Sequence, residues 1–222
     1  MKRSSLLFFV WLIVLSGCGD IQQFQDQLSR QTAASGADEI SAAAFFSNEA
    51  RMNTLTVKVI YEPNAQPLVG KMSVLGNDQW WDILEVNIKK LFEIRRATAI
   101  RVPKTLAEMT EISVQNKTEW TSAEIVSLAD SFHVRDETGS EISFVVVYLK
   151  GLFEGKNNIL GVSIGNTRII AVFKDVVNSV NIQDKEKVEQ SVLVHEMGHA
   201  LGLVNNGLSM MTAHQDAHQA SR

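Results

Sequence analysis

The chain has a single cysteine, Cys18, so no disulfide can close within it, whatever the redox state of its surroundings. With 3 prolines and 13 glycines in 222 residues, it lacks the bias of collagen-like or low-complexity chains. Positive charge is not in excess: 21 Lys and Arg stand against 25 Asp and Glu, for a formal net charge of -4. No basic stripe is available to follow a phosphate backbone, so nucleic acid is not among the expected partners. No apolar run reaches the ~20 residues that a helix needs to cross a bilayer, and no internal repeat is visible. What is present, 45% hydrophobic and 21% charged residues, is the balance of an ordinary folded domain.

The N-terminus reads as an address. Met1-Lys2-Arg3 is a short positive region, Leu6 to Leu15 is an uncharged apolar run, and Leu15-Ser16-Gly17-Cys18 closes it with small residues before the cysteine. That order resembles a bacterial lipobox. The resemblance implies a signal peptide over 1–17, diacylation of Cys18, and an exported lipoprotein held to the membrane of the cell envelope. The alternative is a plain cleaved signal or an uncleaved anchor with an incidental cysteine; either exports the domain. Residues 18–53, rich in Gln, Ser and Ala, read as a tether. Residues 54–222 remain, enough to bury a core without disulfide or metal staples.

Within 54–222, Thr54 to Tyr61 alternates and is β-branched, and Pro63-Asn64 ends it as a strand. Trp80, Leu84, Ile88, Leu91 and Phe92 recur at helical spacing, placing a helix from about Gln79 to Arg95. Ala99 to Val102, closed by Pro103, reads as a second strand. Thr121-Ser122-Ala123-Glu124 is a capping-box pattern opening a helix that turns Ile125, Leu128, Ala129 and Phe132 inward. Glu141 to Leu149 is too uniformly apolar for a half-solvated strand and predicts a central one. Leu160 to Ile164 and Arg168 to Phe173, joined across Gly165-Asn166, predict a hairpin or neighbouring strands. A long helix follows from Lys185 to about Leu203. The sum is an α/β (α+β) domain: a twisted mixed sheet, two backing helices, and a last helix near the C-terminus.

That last helix carries the chemistry. In His195-Glu196-Met197-Gly198-His199 the two histidines stand four apart, so both imidazoles can meet one ion from one helix face. Glu196 points to the side of the pair, where it can take a proton from a water made acidic by that ion. Apolar flanks, Val192-Leu193-Val194 and Ala200-Leu201, would bury these polar groups at a cost unless they had partners. Zinc is the expected cofactor, with His195 and His199 as ligands and Glu196 as catalytic base. The bland reading is a neutral His pair satisfied within the core.

The run from His195 to Asn205 resembles the elongated motif of the metzincin zinc peptidases, in which a glycine three residues after the second His turns the chain and a third ligand follows three later. Gly202 matches the turn, since glycine accepts positive φ at a helix end. Asn205 departs from it: metzincins place His or Asp there, and a neutral amide oxygen is a poor zinc ligand. The resemblance extends to a group of exported bacterial metalloproteases in which a His-rich loop follows an Asn-Gly turn. It implies His214 as third ligand, with His218 and Asn205 as alternatives. It also implies a zincin-like fold and an extended peptide substrate adding a strand to the sheet edge near Gly161 to Val172. Met210 and Met211 follow the helix too soon to form the methionine turn beneath a metzincin metal site, so a C-terminally truncated catalytic domain is expected over 54–222.

The function expected is a zinc metallopeptidase, an endopeptidase rather than an exopeptidase. The alternative is a weakened or non-catalytic envelope lipoprotein that acts as a binding module. A third reading is a metal buffer using His214 and His218. Trp80 and Trp81 read as core and rim of their helix, and Lys89-Lys90 and Arg95-Arg96 as a solvated helix end.

Overall fold

Eight consecutive residues of alternating and β-branched character make the first strand, β1 (Thr54–Tyr61), and Asn64, in the left-handed turn at φ 66°, takes the chain out of it. The computed structural model describes residues 53–71, 79–92, 99–133, 140–165, 167–180, 185–201 and 209–212. All fall within the compact unit Glu39–Arg222. After β1 come helix α1 (Trp80–Phe92), β2 (Ala99–Arg101), a single 3-10 turn (Leu106–Glu108), and the short strands β3 (Thr110–Glu111) and β4 (Glu119–Trp120). Helix α2 (Ser122–Asp130), β5 (Glu141–Leu149), β6 (Leu152–Phe153), β7 (Ile159–Ile164) and β8 (Ile169–Phe173) follow. The order closes with α3 (Lys174–Ser179), α4 (Lys185–Ala200) and β9 (Ser209–Thr212).

The main sheet runs β2-β1-β5-β8-β7-β9, with β3 pairing β1 beyond β2, while β4 and β6 pair separately. β1, β2, β3, β5 and β8 are parallel; β7 is antiparallel to β8, and β9 is antiparallel to β7. β5 pairs with β1 in unbroken register from Thr54 opposite Glu141 to Tyr61 opposite Tyr148. Eight of its nine residues are buried, as a parallel strand covered on both faces must be. The predicted hairpin is present as β7 and β8, with Ile164 opposite Ile169. The architecture is thus mixed α/β with a mixed sheet and, among the described residues, four helices.

Alternation along β5 separates the helices. The Tyr148 ring lies 6.4 Å from that of Trp81 on α1, whereas Ser143 Oγ lies 3.4 Å from His133 Nδ1, just past α2. Residues 143 and 148 are of opposite parity, so α1 and α2 cover opposite faces of the sheet. α2 opens on the predicted capping box: Thr121 N–H donates to Glu124 at 2.9 Å and Glu124 N–H donates to Thr121 Oγ1 at 3.4 Å. The Lys117 ammonium, then the Thr121 backbone N–H and hydroxyl, hold the Glu124 carboxyl down to about 2. Of its expected inward residues Ile125 and Ala129 are buried, and Leu128 and Phe132 half-buried. Trp80 and Trp81 are both core rather than core and rim: the Trp81 indole N–H donates to Leu68 O at 2.9 Å, which draws it under the loop.

Where β1, β5 and β8 end, two carboxylates tie the loops, Glu62 buried and Asp175 at the surface. Glu62 accepts from the backbone N–H groups of Gln115 and Lys150, each at 2.9 Å, and Asp175 accepts from Gly151 at 2.7 Å. Charge-assisted bonds of this kind replace the water that these N–H groups would otherwise need. Helix α3, with Lys174 and Asp175 at its start, is not foreshadowed in the sequence; neither are β3, β4, β6 and β9.

His133 supplies a test of this packing. Burial, and then the Arg168 charge, hold its imidazole below the ordinary 6.5. As pH falls the unfolded chain takes this proton first, so stability drops from about pH 6.5 downward until the folded-state value is passed. Urea unfolding between about pH 7 and pH 5 should show this loss in the wild type and a shallower one in His133→Gln; equal slopes would sink the assignment.

Candidate metal centre

Helix α4 packs against β7, β8 and β9 and touches α1. Its buried residues include Val188, Val192, Leu193 and Met197, whose spacings of four, one and four keep them on the sheet side. His195 and His199, one turn from each other, are half-buried at the margin of that stripe. Their Nε2 atoms stand 3.0 Å apart and their ring centroids 4.6 Å. At that distance one ring N–H can donate to the other's bare nitrogen, or two bare nitrogens can meet one cation. Zn–N bonds of about 2.0–2.1 Å span up to ~4 Å between two ligand atoms, so the pair fits a shared ion. Burial lowers the pKa of His195, which favours the neutral imidazole that binds metals.

Glu196 is 0% exposed. It lies on the sheet side, over Gly161 of β7. A Cβ built on Gly161 would stand 2.4 Å from Val192 Cγ1, 3.2 Å from Ala171 O and 3.4 Å from Glu196 Cγ. Glycine is needed here for close approach of strand to helix, not for an unusual φ.

Seven residues before Glu196, on the same side of the helix, stands another buried carboxylate. Glu189, 0% exposed, pairs with the Lys174 ammonium, itself 5% exposed, and accepts from Leu68 N–H at 3.0 Å. Burial pushes the Glu189 carboxyl up, against the pull of Lys174 and Leu68, and the neighbouring Tyr148 hydroxyl is held well above its ordinary range. Gln190 adds a bond from its amide to Trp80 O at 3.2 Å. These contacts fix the rotation and height of α4, and with them the direction of its histidines.

Of the residues singled out in the sequence, His195, Glu196 and His199 are brought together. Cys18, Gly202, Asn205, His214 and His218 lie outside the described residues, as does Leu203, where the helix was expected to end. Among the described residues no group of three or more His, Cys, Asp or Glu is arranged around one ion. Sequence reasoning missed Glu189 and Lys174. A carboxylate on the apolar stripe of α4 was the available signal, because such a group needs a buried partner; nothing marked Lys174 as that partner. Comparisons with protein-family models, curated proteins and solved structures gave no match.

Two substitutions test how α4 is held. Gly161→Ala is expected to cost about 1–3 kcal/mol in urea unfolding, as overpacking does. Adding Val192→Ala should recover part of that loss; strict additivity of the two changes would argue against the contact. Glu189→Ala, which leaves a buried ammonium alone, is expected to cost about 3–5 kcal/mol. The isosteric pair Lys174→Met with Glu189→Leu should cost far less than either single change.

Proposed function

We propose that this chain is a zinc-dependent peptidase of zincin-like, metzincin-related build, exported and tethered to the cell envelope through Cys18. The observation that carries the reading is the convergence of His195 and His199 Nε2 to 3.0 Å, on the helix that also presents Glu196. His195 and His199 would hold the ion, with His214 as the third ligand and His218 or Asn205 as alternatives. Zinc bound there would supply the Lewis acidity that lets water attack a carbonyl near neutral pH. Glu196 would be the group that takes a proton from the attacking water and hands it to the leaving amine. Gly161 and the Glu189 to Lys174 pair serve this by fixing where Glu196 and the histidines sit.

The sheet order supports the zincin-like comparison, with parallel β1, β5 and β8 bordered by an antiparallel β7 and with α4 laid across that side. Among the described residues no helix is long and apolar enough to cross a membrane. The non-catalytic binding module is the second reading, and the observation favouring it is the complete burial of Glu196.

Bound zinc per chain, measured by elemental analysis, separates the two. One zinc is expected in the wild type, none in His199→Ala, and an undiminished amount in Glu196→Gln. Hydrolysis of fluorogenic casein should fall by about 10²–10⁴ in Glu196→Gln, the range for loss of a general base. A folded wild type that holds no zinc would remove the peptidase reading and leave the binding module.

A further inference from the structure

The outer edge of β7 is already paired. β9 runs antiparallel to it, with Ser209 opposite Ser163, Met210 opposite Val162, Met211 opposite Gly161 and, after a register shift, Thr212 opposite Ile159. β9 also packs against α4. Gly161 is the residue whose missing side chain brings β7 onto Glu196, so the β9 backbone at Met211 runs at the level of that carboxylate. Glu196 is meanwhile wholly shielded from solvent.

Two requirements of the peptidase reading collide with this arrangement. A general base must reach the water and the bond it acts on, and Glu196 here reaches neither from solvent. An extended peptide that binds by strand addition needs an edge with open N–H and C=O groups, and on β7 the chain's own segment takes them. The stretch Gly161 to Val172, expected to offer such an edge, is interior to the sheet instead: β8 lies between β5 and β7, and β7 between β8 and β9. β9 is a four-residue strand at the sheet border, the kind of element that opens locally while the core stays folded.

We infer that β9 is an internal competitor for extended peptides, a strand that caps the β7 edge and must leave it before a peptide can lie beside Glu196. The inference rests on the peptidase reading for what the edge is used for. It predicts a latent state, with β9 paired, and an open state in which β7 accepts an extended peptide in the place of β9.

The test locks and unlocks the strand in the full chain with Cys18→Ser, so that no other thiol is present. Ser163→Cys with Ser209→Cys places two thiols directly opposite each other across an antiparallel pair. Oxidation should lower fluorogenic casein turnover at least tenfold at unchanged zinc content, and reductant should restore it. Failure of the disulfide to form, or equal turnover of the oxidised and reduced forms, would overturn the inference. The second arm needs neither zinc nor hydrolysis. Of two successive residues in a strand one directs its N–H to the neighbour, so Met210→Pro with Met211→Pro weakens β9 pairing. In a Glu196→Gln background this change should tighten binding of the fluorescent peptide Leu-Ser-Met-Met-Thr-Ala, which copies Leu208 to Ala213, at least tenfold over the intact strand; unchanged binding overturns the inference. Peptide binding that responds to β9 in a chain without zinc or turnover would keep the strand as a gate and sink the peptidase reading. Turnover abolished by Glu196→Gln but indifferent to the cross-link would do the reverse.

Discussion

The close contact between β7 and α4 at Gly161 is the constraint from which the site follows. A side chain there would meet Val192 at 2.4 Å, and strand and helix would have to part. With glycine in place the helix settles onto the sheet, Glu196 comes to rest over the strand, and His195 and His199 are left at the margin, half-buried and facing each other. The edge strand β9, with Met211 opposite Gly161, runs at the level of the carboxylate.

A second set of contacts holds the other end of the helix. The Lys174 to Glu189 pair is almost wholly buried, and a buried ion pair is a poor source of net stability because desolvating both charges offsets their attraction. Its use here is geometric. Lys174 begins α3 directly after β8, Glu189 lies on the sheet side of α4, and Leu68 belongs to the loop that follows β1, so one carboxylate ties three separate parts of the chain. Glu62 and Asp175 do the same for the loops after β5 and before β4. The ends of the parallel strands are thereby fixed, and α4 is laid over a rigid platform.

Much of this is readable one segment at a time. The apolar run Phe144 to Val147 demanded a strand covered on both faces, and β5 is central. Thr121 and Glu124 announced a capping box, and both of its bonds are present. The four-residue spacing of His195 and His199 put two imidazoles on one helix face, and their nitrogens converge. These features depend on neighbours a few residues apart, where helix and strand periodicity dictates geometry. β3, β4, β6 and β9 were not legible, because two- to four-residue strands have too little alternation to register and exist only where a partner strand offers its edge. Trp81 was misjudged as a rim residue because the acceptor of its indole N–H, Leu68 O, comes from another part of the chain.

The sequence by itself determined the local elements, the central strand, the helix bearing His195, Glu196 and His199, and through them the chemistry proposed for the chain. Only the tertiary structure decided the strand order, the placement of α1 and α2 on opposite faces, the pairing of Glu189 with Lys174, the need for glycine at 161, and the seating of β9 on β7. Each of these joins residues far apart along the chain, and such pairings are chosen by which surfaces can be buried together, a choice no local pattern encodes.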